Sequence, residues 1–212
     1  MGRMKLLSVN ISQAKTVMYH GRQVASGIYK EPIEGRVRVG RLTIEGDRQV
    51  DFRVHGGADK AVYAYPHEHY APWQEELGRD DFTFGQFGEN LTTQGLLEDT
   101  VHIGDRFRVG DALLEVSQPR IPCYKLAMKM GDNTIPKRLI ESQRCGFYFR
   151  VIEEGEIGAG DRIERDVDDP IRVSVQYIYN LYFNDKDNKS EIARMLDHPH
   201  LSGEWKKQLR DL

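Results

Sequence analysis

Between residues 4 and 166, short β-branched and aromatic runs alternate with Gly, Asp and Pro, a spacing that predicts many short strands in a closed sheet. The clearest strands are expected at 5–9, 35–44, 101–109, 112–118 and 147–152. Within 112–118, Leu114 and Val116 alternate with Glu115 and Ser117. That two-residue period predicts a strand with one packed face and one face in solvent. Two helices are expected to interrupt the sheet. One covers 66–77 and is closed by Gly78; the other covers 135–142, with Thr134 as its cap and Pro136 in its first turn. Two similar Gly-Asp turns, at Ile103-Gly104-Asp105-Arg106 and Ala159-Gly160-Asp161-Arg162, suggest related hairpins.

After Pro170 the period changes. Val175, Ile178, Tyr179 and Tyr182 recur at i, i+3, i+4 and i+7, the stripe of an amphipathic helix. Asn188 with Glu191 forms a capping-box-like start for a second helix, and Ser202 precedes a third that sets Trp205 and Leu209 four residues apart. Helices this short are marginal alone, so they must dock on each other, on the sheet or on a partner. The division is therefore a β-rich domain over 4–166 and a helical extension over 170–212.

Composition narrows the class. The chain has 212 residues, 39% hydrophobic and 30% charged, enough to bury a core and fold as a globular protein. Its formal charge of -3, with aromatics not interleaved in a basic run, argues against nucleic acid and against an anionic membrane surface as partners. Met1-Gly2 is followed by Leu6 where a myristoylation signal needs Ser or Thr, and no apolar run approaches a membrane span, so a cytoplasmic location is expected. Two cysteines make no disulfide framework, and a reducing compartment would keep both as thiols.

The two thiols differ in setting. Cys123 lies in Gln118-Pro119-Arg120-Ile121-Pro122-Cys123-Tyr124-Lys125, directly after the 112–118 strand. Each proline fixes φ near -65° and cannot donate to a ladder, so the chain is expected to leave the sheet and present Cys123 from a stiffened loop. Arg120 and Lys125 add positive charge that favours the thiolate, the form that ligates metals or attacks. The competing reading of Cys123 is a small buried apolar residue. Cys145 has no such bracket and is expected to be inert structure.

Three polar segments are further candidates. Gly46 to Ala61 contains His55-Gly56-Gly57, whose backbone amides would form an anion-binding nest with Lys60 adding charge; the alternative is an ordinary glycine hairpin. The loop Gly85-Gln86-Phe87-Gly88-Glu89-Asn90-Leu91-Thr92-Thr93 offers Asn90 and Thr92 as hydrogen-bonding groups for a heterocycle. His67-Glu68-His69 lacks the four-residue spacing of a helical zinc pair and is expected to be a surface segment.

Taken in order, Ser8-Val9-Asn10, the Gly46 to Ala61 cluster, Gly88-Glu89-Asn90-Leu91-Thr92, Ile103-Gly104-Asp105 and Gln118 to Cys123 resemble the MOSC (molybdenum cofactor sulfurase C-terminal) domain family, in its YiiM-like branch. The resemblance implies a mainly β (α+β) fold: a MOSC-type β-barrel with flanking helices and a small C-terminal three-helix extension. It implies molybdenum cofactor (molybdopterin) binding, with Cys123 as molybdenum ligand and catalytic residue. Asn10, His55, Lys60, Glu89, Asn90, Thr92 and Arg120 become candidate contacts to the pterin and its phosphate, while Lys15, Arg22, Arg48, Arg53 and Lys125 compete for the phosphate.

The implied activity is reduction of N-hydroxylated compounds such as 6-N-hydroxylaminopurine, a detoxification. A ferredoxin-type iron–sulfur centre needs four cysteines, so electrons are expected from a separate flavin or iron–sulfur protein, with the helical extension as a candidate docking element. The alternative function is a carrier that binds the cofactor or sulfur without turnover. A Cys-dependent hydrolase is a third class, with no partner His or Asp identifiable beside Cys123.

Overall fold

The computed structural model describes residues 4–50 and 56–212. Twelve strands alternate with short helices among them. The strands are β1 (Lys5–Ile11), β2 (Lys15–Tyr19), β3 (Arg22–Ser26), β4 (Glu31–Pro32), β5 (Arg36–Val39), β6 (Val62–Pro66), β7 (Leu91–Gln94), β8 (Arg106–Val109), β9 (Ala112–Pro119), β10 (Phe147–Glu153), β11 (Gly155–Gly158) and β12 (Ile163–Val167). Eight of them form one mixed sheet in the order β12-β8-β9-β10-β6-β7-β1-β4, in which β6 and β7 run parallel. The pairs β5–β11 and β2–β3 form two small ribbons.

The large sheet curls until its two ends nearly meet. Lys5 of β1 bridges to Arg162, and the Leu6 and Ile163 amides donate to Asp161 and Met4 carbonyls at 2.9 and 3.1 Å. This short seam brings β1 beside the start of β12 without a continuous ladder, so the sheet is barrel-like and not a closed barrel. Leu6, Val9, Val62, Phe107, Leu114, Val116, Phe147 and Phe149 fill the interior, each fully buried. Burial of each such side chain contributes roughly 1.5–3 kcal/mol before the opposing entropy is counted.

Two expected strands are shorter than the sequence suggests. The 35–44 run turns at Gly40, whose amide donates to Thr43 O at 2.9 Å, and resumes only as a Val39–Ile44 bridge. The 101–109 run is broken at Gly104, which sits at φ +90° where a Cβ would lie 2.5 Å from Asp169 Oδ2. A larger correction concerns β9, expected to keep one face in solvent: all eight of its residues are buried. The polar face is covered. Glu115 receives Arg106 Nε at 2.7 Å and Arg150 Nη1 at 2.8 Å, and Ser117 Oγ donates to Asp59 O at 2.6 Å.

Helix α1 (Tyr70–Leu77) begins later than expected, because Pro66 ends β6 and a 3-10 turn, His67–His69, intervenes. Gly78 closes it in the left-handed region, as expected. Helix α2 (Tyr124–Met130) was not anticipated; seven residues carry too little periodicity to announce it. Helix α3 (Ile135–Ser142) has the expected bounds, but Thr134 does not cap it. Its hydroxyl instead donates to Asp132 Oδ1 at 2.7 Å.

The extension forms α4 (Val175–Asn184), α5 (Lys189–Leu196) and α6 (Gly203–Arg210). Ser174, Asn188 and Ser202 each accept a hydrogen bond from the amide three residues on, so all three starts are capped by their own side chains. Val175, Ile178, Tyr179, Ile192, Met195, Trp205 and Leu209 join the same apolar cluster as the sheet interior. Ser202 N donates to Ser117 O at 3.1 Å and Trp205 Nε1 to Pro119 O at 2.9 Å. The apolar stripe after Pro170 is thus spent on covering the sheet. Among the described residues, no helix is long and apolar enough to cross a membrane.

Candidate functional site

The β9 strand ends at Pro119, whose carbonyl is held by Trp205, and Arg120, Ile121 and Pro122 then lead to Cys123, the residue before α2. Cys123 is half-buried, and the stiff loop that the two prolines predict is the observed path of the chain. The loop opens onto a cleft of about 680 Å³, part of it solvent, between the β3 end, the β6–β10 face and the start of α2. Two glycines shape its floor. A Cβ on Gly27 would lie 2.4 Å from Arg48 O, and Gly88, at φ +81°, would place one 2.7 Å from Ile28 Cγ1.

Every charged side chain among the described lining residues is a cation: Lys30, Arg48, Lys60, Arg120 and Lys125. Lys30 is held by Asp47 at 2.6 Å, and burial pushes its amine below the ordinary lysine value despite that carboxylate. Lys60 Nζ donates to the Glu204 carboxylate of α6 at 2.5 and 2.7 Å. Arg120 is 5% exposed, stacks 5.1 Å from the Tyr63 ring centre, and its Nη1 finds no hydrogen-bond partner among the described residues. Burial works against its charge, but the Tyr63 hydroxyl, the Cys123 sulfur and the Tyr148 hydroxyl hold its pKa above the ordinary arginine value. A buried guanidinium with an idle donor is costly unless an acceptor arrives.

Tyr148, from β10, lines the same cleft, and burial pushes its phenol up to about 12. It therefore keeps its proton through neutral pH. Nothing local in the sequence selects Tyr148, Tyr63 or Lys30, because they converge from β10, β6 and the segment before β4. The only available signal was the alternation along β10, which sends Phe147 and Phe149 to the core and Tyr148 to the other side.

Of the residues singled out in the sequence, Lys60, Asn90, Arg120 and Cys123 share this cleft, as do Arg48 and Lys125 among the competing phosphate candidates. Asn10, Glu89 and Thr92 sit together elsewhere, in a buried network that lines no part of it. Glu89 accepts from Tyr70 Oη, from Thr92 Oγ1 at 2.8 Å, and from the Gly85 and Phe87 amides at 2.9 and 3.0 Å. Asn10 Nδ2 donates to Thr92 Oγ1 at 3.0 Å. Asn90 joins both regions: its Nδ2 donates to Asp47 Oδ2 at 2.9 Å and its Oδ1 accepts from Tyr63 N.

His55, with Arg53, lies outside the described residues. Gly57 sits at φ +98° and precedes the 3-10 turn that carries Lys60. Lys15 pairs with Glu31 at 3.0 Å and does not line the cleft; nor does Arg22. Cys145 is 1% exposed in the core, where burial pushes its thiol well up, in keeping with an inert role. His67 is exposed, whereas His69, contrary to expectation, is tied to the buried Glu98 at 2.7 Å. No cluster of three or more His, Cys, Asp or Glu suited to a metal occurs among the described residues.

Comparison with known proteins places this geometry. The MOSC domain model matches residues 51–164, and the model of the YiiM-like, 3-alpha helix domain matches residues 173–212. The uncharacterized protein YflK of Bacillus subtilis is 41% identical over 204 residues, covering 96% of this chain and 92% of that one. A reductase of Gibberella moniliformis is 38% identical over 146 residues, 68% of this chain but 26% of its own length. The crystal structure of YiiM from Geobacillus stearothermophilus superposes with a TM-score of 0.84 at 38% identity, covering 98% of each chain.

Proposed function

The chain belongs to the MOSC family, in the branch with a YiiM-like three-helix domain, and on that premise we propose that it is a molybdenum cofactor-dependent reductase of N-hydroxylated compounds such as 6-N-hydroxylaminopurine. MOSC domains are generally associated with molybdenum cofactor binding, and a relative over 68% of this chain is a reductase. The observation that carries the reading is the cleft itself: a cysteine in a lining whose charged side chains are all cations, among them a buried guanidinium with one donor unpartnered among the described residues. That donor set fits a ligand with an anionic phosphate and a soft, sulfur-seeking metal.

In this reading Cys123 holds the metal and Arg120, Lys60 and Asn90 hold the pterin and its phosphate. The bound cofactor supplies the two-electron redox chemistry. The chain's own contribution is placement and charge. Arg120 is electrostatically coupled to the Cys123 sulfur and sets a cation beside the metal-holding position. The Pro119 and Pro122 constraints keep that sulfur in one position. Tyr148 retains a proton on Oη beside it and can donate a hydrogen bond to an oxygen of the substrate. Electrons come from a separate flavin or iron–sulfur protein, since two cysteines cannot build a four-cysteine cluster.

The test is protein made in a cofactor-competent host, wild type beside Cys123→Ala. Wild type should retain molybdenum and pterin, show a Mo–S contact from the Cys123 side chain by X-ray absorption, and reduce 6-N-hydroxylaminopurine with a supplied donor. Cys123→Ala should lose both metal and turnover while unfolding at nearly the same denaturant concentration, because the residue lies between elements. Full activity in the variant rejects the reading. Bound cofactor without turnover under any donor leaves a carrier in its place.

A further inference from the structure

The helical extension does more than cover the sheet. Glu204, in the first turn of α6, reaches across to Lys60 with Oε1 and Oε2 at 2.7 and 2.5 Å from Nζ. The Lys60 side chain is 8% exposed and lines the cleft, while the Glu204 side chain is 44% exposed and is absent from the lining. The carboxylate thus approaches a cleft cation from the solvent side of the tail. Tyr148, in the cleft wall, also feels it: after burial and Arg120, the charges of Cys123 and Glu204 act on that phenol.

We propose that Glu204 is a specificity-determining residue of the cleft, an internal counter-ion that competes with phosphate-type anions for Lys60 and so sets how strongly the cleft binds them. The chemistry is that of one buried ammonium for which the Glu204 carboxylate and an incoming anion compete. With Glu204 in contact, part of the cleft's positive potential is neutralised by the protein itself. An incoming phosphate must then offer Lys60 and the idle Arg120 donor more than the carboxylate gives. Weak or singly charged anions are held poorly, whereas a polyphosphate or phosphomonoester dianion, which can engage Arg120 and Lys60 together, is held well. The tail therefore belongs to the binding site, and its role is electrostatic as well as structural.

The proposal rests on the reading of the cleft as an anion site, but its test needs no molybdenum. Inorganic pyrophosphate is titrated calorimetrically, in a phosphate-free buffer of low ionic strength, into wild type, Glu204→Gln, Lys60→Gln and Trp205→Phe. Glu204→Gln should bind roughly fivefold more tightly, the range expected for loss of one half-exposed competing charge, and Lys60→Gln should bind more weakly than wild type. Trp205→Phe breaks the tail's hydrogen bond to Pro119 O without altering charge, and should bind like wild type.

Unchanged affinity in Glu204→Gln overturns the proposal, as does an equal tightening in Trp205→Phe, which would trace the effect to a loosened tail. Absence of pyrophosphate binding in every protein overturns it too. Molybdenum retention by wild type is a separate measurement, so failure here and failure of the reductase reading remain distinguishable.

Discussion

Two polar clusters, joined through Asn90, differ in one respect. Around Glu89, each strong donor and acceptor is matched: the carboxylate takes a phenol, a hydroxyl and two backbone amides. Around Arg120, five cations line one cleft, and among the described residues Arg120, 5% exposed, keeps one guanidinium nitrogen without a hydrogen-bond partner. Buried polar groups are costly unless satisfied, so the first cluster is finished as it stands and the second is completed by something else. Glu89 comes from a glycine-flanked loop and Arg120 from a proline-bracketed one, and in sequence both read as polar loops. What separates a structural network from a ligand site is saturation, which no single segment reveals.

The comparison can be broken most severely at its saturated side. Glu89→Ala would strand the Tyr70 hydroxyl and two buried amides, and should lower stability by about 3–5 kcal/mol in chemical denaturation. If the loss were under about 1 kcal/mol, the network would not be the structural anchor described. Arg120→Met probes the opposite side. Removing a buried charge with an idle donor should change stability by no more than about 1 kcal/mol, while pyrophosphate affinity falls about tenfold or more. A large loss of stability with unchanged anion binding would reverse the assignments of the two clusters.

A smaller effect comes from between them. Lys129 of α2 donates to Gly85 O at 2.5 Å, and burial pushes its amine down to about 8. The unfolded chain then binds more protons than the folded one between about pH 8 and the ordinary lysine range, so this residue's contribution to stability rises with pH across that window. Below pH 8 both states are protonated and the burial penalty is fully present. Lys129→Met should therefore be more stable than wild type at pH 7, on the order of 1 kcal/mol, with the difference shrinking toward pH 10. A difference that is flat with pH in urea titrations would show that Lys129 does not carry the depressed value.

Much of the fold is legible from local pattern, because its causes are local. β1, β10 and the bounds of α3 follow hydrophobic period, and the caps at Asn188 and Ser202 follow from side chains competing for free amides at a helix start. The loop that carries Cys123 was legible from its prolines, which restrain the chain wherever it lies. Other features have distant causes. The alternation in β9 predicted an exposed face because a sequence does not say what will be laid over it. Glu115 and Ser117 are buried since Arg150 and the segment around Ser202 arrive from elsewhere in the chain.

The same division holds at the site. The sequence by itself determined which thiol stands in a stiffened, cation-flanked loop and which is core filling, since proline geometry and apolar spacing act within a few residues. Only the tertiary structure decided that Lys60, Asn90 and Arg120 face one cleft with Cys123 while Asn10, Glu89 and Thr92 satisfy one another, and that Glu204 answers Lys60 from 144 positions away in sequence. Desolvation and hydrogen-bond saturation depend on which groups meet in three dimensions, so they are settled by packing.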